Sequence, residues 1–155
     1  MSTNFSKETS PIKTKDMLIG AMLRVPSEAI HRRIIRELSA AGFEGLSQPH
    51  IAVFRFPSPD GVRPSVLAER AGMSKQAMNR LLGSLEELGY LMRSDSPDEG
   101  RARVVRLTKS GHAVVAKEIE ILRQIENEWI AEIGSRDFAR LKTLLGRVWE
   151  SPLVR

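Results

Sequence analysis

The sequence predicts a mainly α-helical protein with one small β-hairpin, and three observations support this fold class. Apolar residues recur at three- and four-residue spacing near both ends of the chain, which is the period of an amphipathic helix. In the middle, a short helical pattern, a glycine turn and a second helical pattern follow one another from Pro64 to Leu88. Two short strand-like runs separated by a turn-rich segment come directly after Gly89, as in a hairpin.

Composition and charge narrow the class of protein. The chain has 155 residues, 41% of them hydrophobic, and a net charge of +5, so one domain with helical extensions and an anionic partner are expected. Residues 63–109 hold nine basic and six acidic side chains, whereas residues 110–155 hold seven of each. The absence of cysteine excludes disulfides, thiolate metal sites and cysteine redox switches. It also fits the reducing cytoplasm, where we expect the protein to work.

The N-terminus is expected to be a flexible tail followed by a helix. Residues 1–13 have no apolar core, which argues against a secretory signal, and no apolar run approaches the ~20 residues of a membrane span. From about Thr14 to Ala41 the apolar spacing predicts a helix. Pro26 lies inside it and is expected to kink the helix or break it in two, because proline removes a backbone donor and clashes with the preceding turn.

Two short helices are predicted next. Ser47 is a suitable N-cap for the first of them, with Pro49 in its first turn. Prolines and a glycine between residues 57 and 61 mark a turn. Pro64 begins the second short helix, which Gly72 ends by taking the left-handed conformation.

The following helix carries a polar face beside an apolar stripe. Ser74 is its expected N-cap and Gly89 its end. Six residues form the stripe: Ala77, Met78, Leu81, Leu82, Leu85 and Leu88. Four polar residues lie off it: Lys75, Gln76, Asn79 and Arg80. A short helix, a glycine-containing turn and a second helix with a polar N-terminal face describe a helix-turn-helix.

Two strands follow without a break. Tyr90–Arg93 and Arg103–Leu107 are the predicted strands, and the segment from Ser94 to Gly100 is rich in turn residues. A helix-turn-helix followed directly by such a hairpin is a winged helix-turn-helix. Its second helix would enter a DNA major groove, and the hairpin, or wing, would carry arginine toward phosphates or the minor groove.

The candidates for DNA contact are Ser74, Lys75, Gln76, Asn79, Arg80, Arg101 and Arg103. Glutamine and asparagine suit adenine edges and arginine suits guanine, so Gln76, Asn79 or Arg80 is expected to read bases. Ser74 and Lys75 are expected nearer to phosphates. The plainer alternative is a solvated helix face and a hairpin whose arginines only protect an exposed strand edge.

Two long helices are predicted at the C-terminus. Thr108 caps a helix that runs to about Ile133, Gly134 breaks the pattern, and Ser135 caps a final helix with Asp137 in its first turn. Their apolar stripes are too long to be covered by a small winged domain. They would pack either across a two-fold axis between two copies, which we favour, or as a helical hairpin within one chain.

Three features of the chain match one known family. They are the run LAERAGMSKQAMNRLLGSLEELGYLMR, an acidic-to-arginine wing tip, and the run VRLTKSG, with flanking helices that match in order and length. From Leu46 to Gly111 the chain therefore resembles the MarR family (multiple antibiotic resistance regulators). There are two departures. The family's Asp-x-Arg is represented by Glu99-Gly100-Arg101, with Asp98 one place earlier. The second departure is Pro26, because the family's first helix is normally continuous.

The resemblance implies a homodimer held by N- and C-terminal helices, binding to palindromic double-stranded DNA and, often, relief by small aromatic or phenolic ligands. It divides the chain into a tail (1–13), an N-terminal dimerisation region (14–45), a winged DNA-binding domain (46–108) and C-terminal dimerisation helices (109–155). The residues expected at the dimer interface are Met17, Leu18, Met22, Ile119, Leu122, Trp129, Phe138, Leu141, Leu145 and Trp149.

A ligand crevice is expected where the dimer helices meet the winged domain. Its expected lining is Ile30, Arg33, Ile34, His50, Val53, Phe54, Val66 and Leu67. A mostly apolar pocket with His50 or Arg33 as a polar anchor suits an anionic aromatic molecule. The alternative is that these side chains simply fill the junction between the two parts.

Two classes of function fit these observations. The first is a DNA-binding transcriptional regulator, expected to be a repressor; the second is a winged-helix protein-interaction module, which would need neither a basic wing nor an amide-rich helix. No phosphate-binding glycine loop, H-E-x-x-H or nucleophile-elbow pattern occurs, so an enzyme is disfavoured and no cofactor is expected. His31, His50 and His112 form no ligand-spaced pair, so no metal site is expected.

Overall fold

The computed structural model describes residues 16–54, 58–95 and 103–152. These residues form a mainly helical chain with one two-stranded antiparallel sheet. The elements are α1 (Ile19–Ala40), α2 (Gln48–Phe54), α3 (Pro64–Arg70), α4 (Lys75–Glu87), β1 (Leu91–Asp95), β2 (Arg103–Leu107), α5 (Lys109–Ile133) and α6 (Ser135–Trp149). The predicted tail (1–13) and the tip of the wing lie outside the described residues.

Helix α1 runs unbroken through Pro26, so of the two expectations, a kink or a break into two helices, the break is wrong. Proline removes only one backbone donor, and the part of α1 beyond it is held by the burial of Ile34 and Leu38 in the core. Tertiary packing therefore outweighs the local cost of proline. The helix also begins later than predicted, at Ile19, with Leu18 as its N-cap residue.

The helix-turn-helix is confirmed, with its predicted boundaries. Pro64 begins α3, and the Oγ of Ser74 accepts the Ala77 backbone N–H at 3.1 Å to cap α4. Gly72 and Gly89 end the two helices with positive φ angles of 62° and 78°, where glycine is favoured because it has no Cβ to clash.

The base of the wing is tied to the loop that precedes α3. In the hairpin, Leu91 pairs with Leu107. The backbone of Val105 also accepts from Gly61 N at 2.7 Å and donates to Val62 O at 2.9 Å. The side chain of Asp60 accepts the Leu107 N–H at 2.8 Å. The sequence predicts only a turn at this loop, but the structure shows that its backbone also hydrogen-bonds to β2.

Tyr90 lies at the junction of α4 and β1. Its hydroxyl donates to the Glu44 carbonyl at 2.9 Å, and its ring lies edge-on to Phe54 with centroids 6.5 Å apart. Burial raises the pKa of this phenol, so it stays a neutral donor. The surrounding core joins α1, α2, α4, the hairpin and α5 into one cluster.

Helix α5 starts directly against Tyr90. Thr108 caps it as predicted, with Oγ1 accepting the Gly111 N–H at 3.1 Å and donating to the Gly89 carbonyl at 2.7 Å. Gly111 is buried, and a Cβ placed there would overlap the backbone carbonyl oxygen of Tyr90. The contact therefore requires glycine.

The start of α6 differs from the prediction. Gly134, with φ of 86°, is the N-cap and provides no side-chain hydrogen bond, whereas Ser135 is already the first helical residue. The predicted serine cap is therefore wrong, because the break in the chain falls one residue earlier. Asp137 does lie in the first turn, where a carboxylate is stabilised by the helix dipole.

No helix in the described ranges combines the length and apolar character required to traverse a bilayer.

Candidate nucleic-acid interface

The first two turns of α4 present a polar face to solvent. The four residues that the sequence singled out there are all exposed: Lys75, Gln76, Asn79 and Arg80. The opposite face is anchored by Met78, Leu82 and Leu85, which are buried. Ser74 is also exposed, and its Oγ accepts the capping bond, so its hydroxyl proton is still available to donate. The helix is therefore fixed by its core face while amide and cationic groups face outward.

A cleft of about 460 Å³ connects this polar face to the base of the wing. It is lined by Arg63, Pro64, Ser65, Lys75, Asn79, Arg93 and Arg103. Four of these lining residues are cationic and none is acidic, so the cleft attracts anions. A groove of this kind beside an exposed polar helix suits a phosphodiester backbone.

Arg93, one of the residues that line the cleft, forms an ion pair with Glu86 on α4. Glu86 accepts the backbone N–H of Arg93 at 2.9 Å and its Nε at 2.9 Å, and it contacts a terminal guanidinium nitrogen of Arg93 as well. This hydrogen-bonded pairing lowers the pKa of Glu86 and raises that of Arg93, so both groups are charged at neutral pH. The remaining guanidinium nitrogen, Nη1, points to Asn79 Oδ1 at 3.4 Å.

The predicted DNA contacts are only partly brought together. Lys75, Asn79 and Arg103 line the cleft, whereas Arg101 lies outside the described residues. Arg63 and Arg93 also line it but were not among the candidates. Arg63 directly precedes the proline that starts α3; a basic residue at the start of that helix was the available signal.

The residues predicted to line a ligand crevice separate into two groups. Ile34, His50, Val53, Phe54 and Leu67 are buried, with Val66 partly buried beside them. His50 Nδ1 accepts the Ser47 N–H at 3.1 Å, and burial lowers the pKa of His50, so its ring is neutral near pH 7. These six residues lie on α1, α2 and α3 and form part of the junction between these helices.

The two other predicted residues, Ile30 and Arg33, lie toward α5. Arg33 donates from Nε to Glu37 at 2.6 Å and from Nη2 to Glu128 at 2.8 Å. The hydrogen bond with Arg33 lowers the pKa of Glu128. Arg33 therefore links α1 to α5 and already has two carboxylate partners.

A second cleft, of about 360 Å³, lies between α1, α5 and α6. Its lining is mostly apolar: Ile30, Leu122, Ile125, Glu126, Trp129, Phe138, Leu141, Lys142 and Leu145. The Nζ of Lys142 bonds Glu126 at 2.9 Å and lies 5.8 Å from the centroid of the Phe138 ring. Helix α6 is thus attached to α5 at this point.

Much of the predicted dimer surface is exposed in the single chain. Trp149 is 70% exposed and Leu18 82% exposed, whereas Phe138, in the first turns of α6, is only 7% exposed. Further large apolar side chains are exposed on the same helices: Ile19, Met22, Leu23, Ile119, Leu122, Leu141, Leu144, Leu145 and Val148. Met17, just before α1, and Trp129, on α5, are partly buried. Such a continuous apolar surface is typical of a protein interface.

Within the part of the chain that the structure describes, no three histidine or carboxylate side chains are grouped closely enough to hold a metal ion.

Comparison with known proteins identifies the family. A family model described as the MarR family matches residues 44–102. The HTH-type transcriptional repressor Rv2887 of Mycobacterium tuberculosis is 30% identical over 106 residues, which cover 66% of this chain and 76% of that protein. The chain belongs to the MarR family. The HTH-type transcriptional regulator PecS of Dickeya dadantii is 26% identical over 137 residues, covering 85% of this chain and 80% of PecS.

Solved structures confirm the MarR fold. The MarR family protein Rv2887 of Mycobacterium tuberculosis, in complex with salicylic acid, has a TM-score of 0.63 at 25% identity, covering 88% of this chain and 99% of that one. A MarR transcriptional regulator from Methanosarcina mazei Go1 has a TM-score of 0.73 at 18% identity, with coverages of 87% and 96%. The transcriptional repressor CouR, bound to a 23-mer DNA duplex, has a TM-score of 0.64 at 20% identity, with coverages of 84% and 92%.

Proposed function

We propose that this MarR family chain is a cytoplasmic, homodimeric repressor that binds a pseudo-palindromic DNA operator and is released by a small aromatic ligand. The observation that carries the proposal is the cationic cleft between the exposed face of α4 and the base of the wing. A protein-interaction module would have no need for four cations beside an amide-rich helix. The names of the relatives, a repressor and a regulator of transcription, support the same function.

In this function α4 enters the major groove of the DNA, and the cleft holds the sugar-phosphate backbone beside that groove. Phosphates would lie against Lys75 and Arg103, which position the chain without reading sequence. Base edges would face Gln76, Asn79 and Arg80. Two copies related by a two-fold axis would place their recognition helices about 34–36 Å apart, one turn of DNA, or a multiple of that distance. The wing tip with Arg101 would extend along the duplex.

Replacement of Arg80 by Ala should relax the preference at one base position of each half-site. A bidentate arginine contact with guanine contributes about 1–3 kcal/mol of discrimination, and Arg80 is exposed on α4 with its side chain directed away from the core. Selection of binding sites from a random DNA pool, at one stated salt concentration, measures this. Arg70→Ala, an exposed arginine at the end of α3, is the matched control. An equal loss of affinity on every sequence would identify Arg80 as a phosphate contact instead.

Replacement of Arg103 by Ala should reduce the salt dependence of DNA binding. Each phosphate contact contributes about one unit to the slope of log affinity against log salt concentration, and Arg103 lines the cationic cleft. Arg101→Ala should act similarly through charge in the wing. Titrations between 50 and 200 mM salt, a range in which such slopes are usually resolved, give the measurement. Arg123→Ala, on the exposed face of α5, should leave the slope unchanged, and an unchanged slope in both wing variants would remove the wing from the interface.

Salicylate should release the protein from its operator. The support is the mostly apolar cleft between α1, α5 and α6, which Ile30 lines, together with the salicylate complex of the relative Rv2887. The ligand must bind the DNA-incompatible arrangement more tightly, since equal affinity for both states changes nothing. Titration of salicylate and a panel of aromatic acids into the complex, followed by fluorescence anisotropy of labelled DNA, tests this. If no compound binds the dimer or releases DNA, the protein is controlled by its abundance alone.

A further inference from the structure

We propose that Glu86 is a positioning residue for base recognition, because through Arg93 it fixes the orientation of the Asn79 side-chain amide. The inference rests on the proposed function and deepens it. Glu86 lies seven residues after Asn79 on α4, which is two helical turns, so both are on the same side of the helix. Glu86 itself is only about a quarter exposed and lies behind the surface that would meet DNA.

Arg93 transmits the position of Glu86 to Asn79. The carboxylate accepts three N–H groups of Arg93: the backbone N, Nε and one terminal nitrogen. Because the guanidinium is planar and rigid, these bonds fix the direction of the remaining terminal nitrogen. That nitrogen, Nη1, is the one that lies 3.4 Å from Asn79 Oδ1.

The chemistry of the two groups determines which end of the amide faces the DNA. A guanidinium has only donors, so the atom of Asn79 that faces Arg93 must be its oxygen. The amide nitrogen Nδ2 therefore points the other way, toward the exposed side of α4. In this state Asn79 directs its two N–H donors toward a base, while its oxygen is turned toward Arg93.

This orientation changes the base that Asn79 should prefer. Paired recognition of adenine needs an acceptor for the adenine N6 amine and a donor for N7, and the Asn79 oxygen is turned toward Arg93 rather than toward the base. Guanine presents two neighbouring acceptors, O6 and N7, in the major groove, which match two donors. The position read by Asn79 should therefore favour guanine, although the residue type alone suggests adenine.

Glu86→Gln tests the proposal because it weakens the hold on Arg93 without changing the shape of the side chain. With the guanidinium released, the Asn79 amide is free to turn, and the ratio of adenine to guanine at its position should rise by roughly fivefold or more. Arg93→Lys should have the same effect, since a single ammonium cannot bond Glu86 twice and also reach Asn79. Glu87→Gln is the matched control: it makes the same change one residue away, on an exposed carboxylate.

The measurement is binding-site selection with wild type, each single variant and the same variants in an Asn79→Ala background. A positioning role predicts that Asn79→Ala removes the guanine preference and that Glu86→Gln then has no further effect on base preference. Thermal melting shows whether each variant folds, and Arg93→Lys replaces Glu86→Gln if the latter does not.

Three results would overturn the inference: a uniform loss of affinity on all sequences, a wild-type preference for adenine at this position, or a base shift that persists without Asn79. If wild type selects a defined operator and any of these occurs, only the positioning role fails. If wild type selects no operator, the proposed function fails as well.

Discussion

Leu141→Glu combined with Leu145→Glu should convert the proposed dimer into a monomer and lower operator affinity by about a hundredfold or more. Both leucines are exposed on α6 in the single chain, at 36% and 38%, and they line the apolar cleft against α5. Two buried carboxylates without cationic partners would oppose association strongly. The DNA effect follows because two linked half-site contacts gain roughly 10²–10⁴ in affinity over one.

Sedimentation velocity at micromolar concentration and DNA binding at fixed salt measure the two effects together. Thr143→Glu is the control, because Thr143 is an exposed position on the same helix that does not line the cleft and also receives a carboxylate. The control should remain dimeric and bind DNA normally. A double variant that still sediments as a dimer would place the interface elsewhere, and a wild-type chain that is monomeric would remove the dimer from the proposal.

Gly111→Ala should destabilise the fold by about 3 kcal/mol, in the upper part of the range for overpacked sites. The added methyl group would overlap the Tyr90 carbonyl oxygen, and that oxygen also accepts the Thr108 N–H at 3.1 Å. Because the overlapping oxygen is a backbone atom with a hydrogen bond of its own, the clash cannot be relieved by turning a side chain away. The gain of about 1 kcal/mol that alanine normally brings to a helix interior offsets only part of this.

Denaturant unfolding of the isolated variants gives the comparison. Gly83→Ala is the matched control, since Gly83 is also inside a helix and nothing lies within 4 Å of an added Cβ. That variant should gain up to about 1 kcal/mol, so the same substitution is expected to have opposite signs at the two sites. Equal stability of Gly111→Ala and wild type would show that α5 can shift away from the wing at little cost.

Features set by local chemistry could be predicted from the sequence. The caps at Ser74 and Thr108 and the glycine at 72 depend on residues within one turn of each other, and the structure has them where predicted. The predicted alternative of a break at Pro26 was wrong because the burial of Ile34, eight residues later, holds the helix together. The local cost of a proline therefore does not by itself decide whether a helix continues through it.

The candidate site was harder to predict because separate segments build it. The cationic cleft combines Arg63 before α3, Lys75 on α4 and Arg93 on β1, and no spacing rule links these positions. The sequence predicted the helix that is proposed to face DNA, and its polar residues are exposed. It did not identify Glu86, which is 28% exposed and belongs to the site only through its bonds with Arg93. Recognition by a residue that does not touch the ligand leaves no pattern in a single sequence.

The bonds between the base of the wing and the loop before α3 have a consequence for how this surface can diverge. Asp60, Gly61 and Val62 hold Val105 and Leu107 without any residue from the tip. Insertions or deletions between residues 96 and 102 would therefore leave α4 and these bonds at the base of the wing in place. In the proposed complex, tip length and tip charge could accordingly change in small evolutionary steps that alter reach along the duplex, while the half-site assigned to α4 is preserved.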